Sequence, residues 1–278
     1  MDILDSRSGE QGFELPCGLF KDGKILKHVI LKEITGEEED ILAAEDVNGI
    51  IKLNRVLGNC IVSFSDVGKE QKPPKNDNAK KAIDASASNS DQVSIPLANI
   101  ISDKQEIRNL VPELTIGDRI FILLCLRIIS LGENFIFDTE CSKCKKSFKR
   151  SIDLTTLPTK EMKDPTTLLY SLELPSGKTV KMRVATGKEE LILSKMKINA
   201  TDIMTKSLSI RTETVGNEEA SVLLLKKLSL KDRNKMRDSI DKYEGGVETE
   251  IEIECPECGD VSVSDLDIGQ SSFFFPSE

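Results

Sequence analysis

Four cysteines stand in two Cys-x-x-Cys pairs, Cys141/Cys144 and Cys255/Cys258. Thiolates bind zinc well, and zinc favours four such ligands in a tetrahedron. Two cysteines separated by two residues on a tight turn can address one ion. Each pair therefore supplies half a site: Cys141-Ser142-Lys143-Cys144-Lys145 is one half and Cys255-Pro256-Glu257-Cys258-Gly259 the other. Pro256 presets φ in its turn, and Gly259 permits the left-handed backbone that often follows such a knuckle. The spacing predicts one structural Zn2+ held by Cys141, Cys144, Cys255 and Cys258. Loop-closure cost grows only logarithmically, so the distance between the halves is little obstacle. A structural zinc contributes on the order of 10 kcal/mol to folding.

Other readings of the cysteines are weaker. A redox pair follows a strand and opens a helix, whereas both pairs here run on into strand-like sequence. A catalytic zinc keeps one position open, and four cysteines leave none. Vestigial cysteines that have lost their metal are a further alternative. A zinc ribbon that binds nucleic acid is another, since Lys143, Lys145, Lys146, Lys149 and Arg150 make the first knuckle basic. The second carries Glu252, Glu254, Glu257 and Asp260. Pairing of these two faces accounts for the charges without a nucleic acid.

The elements that must position the cysteines are legible around them. Val247, Thr249, Ile251 and Ile253 alternate with glutamates, the period of a strand with one wet face. Phe135 and Phe137 hold the same phase before the first pair. Upstream, Asp118 is expected to cap a helix running through Ser130 that is apolar nearly all round, hence buried. Its counterpart, Asp232 to Lys242, is polar apart from Met236 and Ile240. Thr35 with Glu38, and Thr186 with Glu189, read as helix N-terminal boxes. Asn48 or Gly49 opens a further helix. Strand Ile61–Phe64 follows, with Leu208–Ile210 as its expected match. Cys17, Cys60 and Cys125 read as small buried hydrophobes.

These parallels form a pattern. One fixed register maps Leu110–Leu154 onto Leu224–Ile268, with Leu110, Leu114, Asp118, Arg119, Gly132, Glu140, Cys141, Cys144 and Asp153 on identical residues. Glu14-Leu15-Pro16-Cys17-Gly18 recurs as Glu173-Leu174-Pro175-Ser176-Gly177, and Thr35-Gly36 as Thr186-Gly187. The predicted fold is α+β: two diverged strand-helix-hairpin repeats in pseudo-twofold packing, with a zinc-ribbon-like pair of knuckles. Residues 1–12 are expected as a disordered tail and 13–154 as the first repeat. Residues 67–95, rich in Lys, Asn, Ser, Ala and Pro, are expected as a mobile insertion. A linker at 155–172, the second repeat at 173–270 and an aromatic tag at 271–278 complete the order.

The totals exclude several classes. Of 278 residues, 38% are hydrophobic and 31% charged, the formal net charge is −9, and there is no Trp. An acidic chain repels phosphate unless its cations are segregated, and scarce aromatics disfavour base stacking. Ile120–Leu131, interrupted by Arg127, is too short to span a bilayer. Met1–Gln11 lacks the features of a signal peptide. Together these point to a soluble cytoplasmic protein. His28, the only histidine, sits in an expected strand and reads as structural. No nucleophile elbow, zinc-protease helix or phosphate loop is present, so no enzymatic chemistry is expected.

Several of these motifs, taken in order, resemble a known family. They are Phe13-Glu14-Leu15-Pro16-Cys17-Gly18, Thr35-Gly36 with its acids, Ile116-Gly117-Asp118-Arg119 with its apolar helix, and Ser130-Leu131-Gly132. Cys255-Pro256-Glu257-Cys258-Gly259 and the ending Phe273-Phe274-Phe275-Pro276 follow. The chain is similar to the baseplate hub family of T-even-like contractile-tailed phages, found also in prophages and phage-like injection systems. The resemblance spans nearly the whole chain except Met1–Gln11 and Gly68–Asp91. It implies a non-enzymatic virion or assembly protein of the tail hub. Its partners would be other hub or tail proteins, and its place the host cytoplasm during assembly or the tail baseplate. The zinc assignment rests on this sequence's own spacing. The closing Phe273-Phe274-Phe275-Pro276 is either tucked into the chain's own core or an anchor in a neighbouring protein.

Overall fold

The computed structural model describes residues 4–7, 9–66, 100–196, 202–266, 268 and 271–275. Strands β1 (Leu4–Arg7), β2 (Glu10–Lys21) and β3 (Lys24–Lys32) open an antiparallel sheet. β2 thus begins inside the stretch expected as a disordered tail. Asp22 and Gly23 turn β2 into β3 with φ of 50° and 78°, a two-residue turn whose twist suits a hairpin. After β3 come helices α1 (Gly36–Ala43) and α2 (Gly49–Cys60), then β4 (Ile61–Ser65) and β5 (Ile100–Ile101), which complete the sheet in the order β1-β2-β3-β4-β5. The insertion expected at 67–95 lies outside the described residues.

Helix α3 (Lys104–Leu110) leads to α4 (Ile116–Leu131) and the hairpin of β6 (Asn134–Glu140) and β7 (Ser147–Asp153). The stretch expected as a linker contains β8 (Thr159–Lys160) and the start of β9 (Leu169–Glu173). Then follow β10 (Thr179–Arg183), α5 (Gly187–Lys195), α6 (Ile203–Ser209), β11 (Thr212–Val215), β12 (Glu218–Glu219), α7 (Val222–Lys226) and α8 (Leu230–Tyr243). Strands β9 to β12 form a second antiparallel sheet, ordered β12-β11-β10-β9. The chain closes with β13 (Gly246–Val247), the hairpin of β14 (Glu250–Glu254) and β15 (Val261–Asp265), and α9 (Ser271–Phe274). The result is a mixed α+β fold with several small antiparallel sheets.

The apolar helix is central, as its composition requires. Phe121, Ile122, Leu123, Leu124, Cys125 and Leu126 are all buried, and α4 touches α2, α5, α9, β2, β3 and β13. At one crossing there is no room for a side chain: a Cβ on Gly117 would lie 1.9 Å from the Gly245 carbonyl oxygen. The main core joins Leu15, Val29, Leu57, Phe64 and Ile122 to Leu266, Ile268 and Phe273 from the other end of the chain. A smaller core holds Val180, Met182, Leu208, Val215, Leu225 and Met236. The two expected halves are thus not packed separately; the apolar surface of α4 draws the C-terminal segments back onto it.

The same local geometry occurs twice. Thr35 and Thr186 precede their helices at φ −115°, ψ 178° and φ −117°, ψ 178°. Each donates its N–H to a glutamate three residues on, Glu38 at 3.0 Å and Glu189 at 2.9 Å. Two caps differ from expectation. Thr115 and Ser229, not Asp118 and Asp232, cap α4 and α8, each hydroxyl accepting the aspartate's N–H at 3.1 Å. The aspartate side chains are used elsewhere. Asp118 accepts the N–H groups of Cys17 (2.8 Å) and Gly18 (3.0 Å), and Asp232 accepts that of Ser176 (3.0 Å). Burial pushes Asp118 up to about 6 against those donors. The neighbouring arginines also recur: Arg119 donates to the Val111 carbonyl at 3.1 Å and Arg233 to that of Leu225 at 3.2 Å. The expected strand at Leu208–Ile210 is instead the end of α6 and its cap. Thr205 and Leu208 face inward at helical spacing, and the strand that follows is β11.

Candidate metal centre

Each cysteine pair sits at the tip of a hairpin whose strands are set by pairing and burial. In β6–β7, Phe135 faces Ile152 and Phe137 faces Arg150; in β14–β15, Ile251 faces Ser264 and Ile253 faces Ser262. Phe135 and Ile253 are buried, which fixes the inner face of each hairpin and therefore the direction of its tip. The tips are built alike. The Cys141 N–H donates to the Lys146 carbonyl and the Cys255 N–H to that of Asp260, both at 2.9 Å. The Lys145 and Gly259 N–H groups return to the Cys141 and Cys255 carbonyls at 3.0 and 2.9 Å. Lys145 and Gly259 are left-handed, with φ of 59° and 67°, a cost only the glycine avoids.

The fold brings the two tips together. The four sulfurs of Cys141, Cys144, Cys255 and Cys258 lie within 4.8 Å of one another and could hold a metal ion. Cys141 Sγ is 3.7 Å from Cys258 Sγ, and Cys144 Sγ is 3.7 Å from Cys255 Sγ. A disulfide needs about 2.05 Å. A tetrahedron of thiolates about 2.3 Å from zinc has sulfurs roughly 3.8 Å apart, so the spacing fits an ion and not a bond. The two contacts exchange under the register that maps the first knuckle onto the second. So do the ion pairs that flank them, Lys146 with Glu257 and Lys143 with Asp260 (3.4 Å). The two tips thus meet through like contacts; elsewhere among the described residues Thr115 bridges Thr186, with no such bridge between Ser229 and Thr35.

Backbone donors tune the thiols. The N–H groups of Cys144 and Lys143 bring Cys141 down to about 7. Cys258 accepts from the Asp260 N–H, yet burial and the three neighbouring sulfurs outweigh that donor and push it up to about 12. A low thiol beside a raised one describes sulfurs competing for protons, which a dication would replace. The other three cysteines stand apart as buried hydrophobes, with burial pushing Cys17 and Cys60 up to about 12 and Cys125 well up.

The remaining sequence candidates fall out as follows. Phe273 and Phe274 are buried, Phe273 packing on Phe135 with ring centroids 5.0 Å apart. The Phe273 carbonyl accepts the Nε–H of Arg127 at 3.1 Å. These two residues belong to the chain's own core. Phe275 remains 38% exposed, and Pro276 lies outside the described residues. His28 is in β3 as expected, and its Nδ1 is buried without a partner among the described residues. Arg119, buried, and Arg233, half-buried, stand beside the two caps. The recurring Asp-Arg dipeptide, with Thr115 or Ser229 three residues before its aspartate, was the signal for their role.

No helix among the described residues is long and apolar enough to cross a membrane. No curated protein and no solved structure matches the chain. Residues 72–275, well over half of the sequence and including both cysteine pairs, match the family model described as T4 bacteriophage base plate protein. The chain therefore belongs to the T4 bacteriophage base plate protein family.

Proposed function

We propose that the chain is a non-enzymatic structural or assembly protein of a contractile-tail baseplate hub, working through contacts with other hub or tail proteins. Family membership over residues 72–275 carries this reading. We further propose that Cys141, Cys144, Cys255 and Cys258 hold one structural Zn2+. Four thiolates leave no open coordination position, so the ion supplies a rigid cross-link. The repeated caps, aspartate brackets and knuckles support descent of residues 13–154 and 173–270 from one duplicated unit, with the ion as the clamp between copies.

A nucleic-acid-binding ribbon is the rival reading, and the ion pairs disfavour it. Lys143 and Lys146 are matched by Asp260 and Glu257, which removes two cations from any phosphate-facing set. Elemental analysis of the purified chain should give about one zinc per chain, lost when Cys141 and Cys255 are changed to serine. Affinity capture from cells making the whole tail should recover baseplate proteins. A metal-free chain with separated sulfurs would remove the zinc. Salt-sensitive nucleic-acid binding with no tail protein captured would replace the baseplate reading by its rival.

A further inference from the structure

One of the contacts between the two halves uses a short set of groups. The Ile116 N–H donates to the Ala185 carbonyl at 3.0 Å, and the Gly187 N–H donates to the Leu114 carbonyl at 3.1 Å. Arg119 Nε donates to Glu190 at 2.7 Å, and Lys188 pairs with Glu113. A Cβ on Gly187 would lie 2.7 Å from Arg119 Nη1, so any side chain there would displace the guanidinium. One partner surface is the cap of α4; the other is the N-terminus of α5.

Each surface has a counterpart in sequence elsewhere on the chain, and among the described residues neither counterpart is covered in the same way. The register that places Leu110 on Leu224 maps the α4 cap onto Lys227, Ser229, Leu230 and Arg233 of the α8 cap. The register that places Thr35 on Thr186 and Ile61 on Thr212 maps the α5 N-terminus onto Thr35, Gly36, Glu37 and Glu39. Leu230 is 69% exposed, whereas its equivalent Ile116 is half-buried. Met204, equivalent to the half-buried Leu53 of α2, is 63% exposed. Arg233 keeps the bond to its own Leu225 carbonyl and adds one to Thr205, but among the described residues no carboxylate meets its Nε as Glu190 meets that of Arg119. On the other surface Thr35, Gly36, Glu37 and Glu39 are exposed, and a Cβ on Gly36 would meet nothing within 4 Å.

The charges of the two open surfaces complement each other in a specific way. Glu39 stands where Glu190 stands and Arg233 where Arg119 stands, so that pair would be kept. Lys188 and Glu113 are replaced by Glu37 and Lys227, so both signs reverse together and attraction survives. We propose that the chain self-associates head to tail, the α1 N-terminus of one copy docking on the α8 cap of the next as α5 docks on the α4 cap within a copy. Such an interface joins unlike surfaces, so it builds a ring if the rotation closes and a filament if it does not. This rests on the repeat reading proposed above, because the internal contact serves as the template.

The full-length chain is to be studied by sedimentation and light scattering over a wide concentration range. Wild type should show mass increasing with concentration. Leu230→Asp should weaken association at least ten-fold, as should Lys227→Glu or Glu37→Lys alone; all three positions are exposed, so the fold is kept. Mixing Lys227→Glu chains with Glu37→Lys chains should restore association, because each mixed contact then pairs opposite charges. A chain that stays monomeric at every concentration overturns the proposal, as does association indifferent to all three changes. The repeat reading fails separately, by an experimental structure in which α8 and its cap do not superpose on α4 and its cap.

Discussion

Replacing Phe273 by alanine separates a tail that belongs to the core from a tail that belongs to a partner. The side chain is 1% exposed, its ring lies 5.0 Å from that of Phe135 and 5.4 Å from that of Phe274, and the two flanking rings are themselves buried. Truncation removes the transfer free energy of the ring and leaves a hole whose walls are held by β6 and α4. Such changes cost about 3–5 kcal/mol. In a chain of this length each kcal/mol moves the thermal midpoint by roughly 2 °C, so the expected fall is about 6–10 °C. The carbonyl of residue 273 is retained, so the bond from Arg127 is not part of the loss. Phe275→Ala is the control: the ring is partly exposed, and surface truncations of that kind stay within about 0.5 kcal/mol. Calorimetry on both variants, with and without added zinc, is the assay. A Phe273→Ala protein that melts within 2 °C of wild type while losing capture of tail proteins would refute the assignment and make the tag an anchor.

Further outcomes follow from the same geometry. Gly117→Ala should destabilise by at least about 3 kcal/mol, since its Cβ has backbone in its place and not a movable side chain; denaturant titration checks this. The two knuckles should respond oppositely to glycine: Lys145→Gly relieves a left-handed residue and Gly259→Ala creates one, each worth about 1 kcal/mol in thermal melts. The paired aspartates should titrate on opposite sides of their ordinary value, read by carboxyl-carbon NMR. Burial puts Asp118 at about 6, so its contribution to stability is full below its unfolded value and is lost as pH rises through 6. Asp232 is held low: burial opposes this, but the Ser176 N–H and the Ser229 hydroxyl outweigh it. Its contribution is therefore present above the unfolded value and is lost as pH falls through the lowered one.

The site was more legible than the fold that builds it. Cysteine spacing carries its own geometry, so the meeting of Cys141, Cys144, Cys255 and Cys258 could be expected from the ligand count. The apolar ring of α4 likewise announced a central helix. Sequence could not show that Leu266, Ile268 and Phe273 would fill the first half's core, because an apolar residue does not state which surface it covers. The caps of α4 and α8 were misplaced by three residues: aspartate suits a cap as well as threonine or serine does, and only the backbone N–H groups of Cys17, Gly18 and Ser176 reveal its other use. Leu208 was read as a strand residue because a short apolar run has no period of its own. The Asp22-Gly23 dipeptide is itself a hairpin signal in the sequence.

The crossing of Gly117 over Gly245 fixes an order of events during synthesis. Helix α4 is apolar on nearly every side, and its cover includes β13 and the α9 segment that carries Phe273. At ribosomal rates the interval between making Leu131 and making Phe273 is roughly ten to thirty seconds. Throughout that interval the nascent chain displays its most hydrophobic helix with part of its cover not yet made. A premature stop anywhere after α4 would therefore yield not a shorter baseplate protein but a sticky fragment, one for the cell's holdases and proteases to clear.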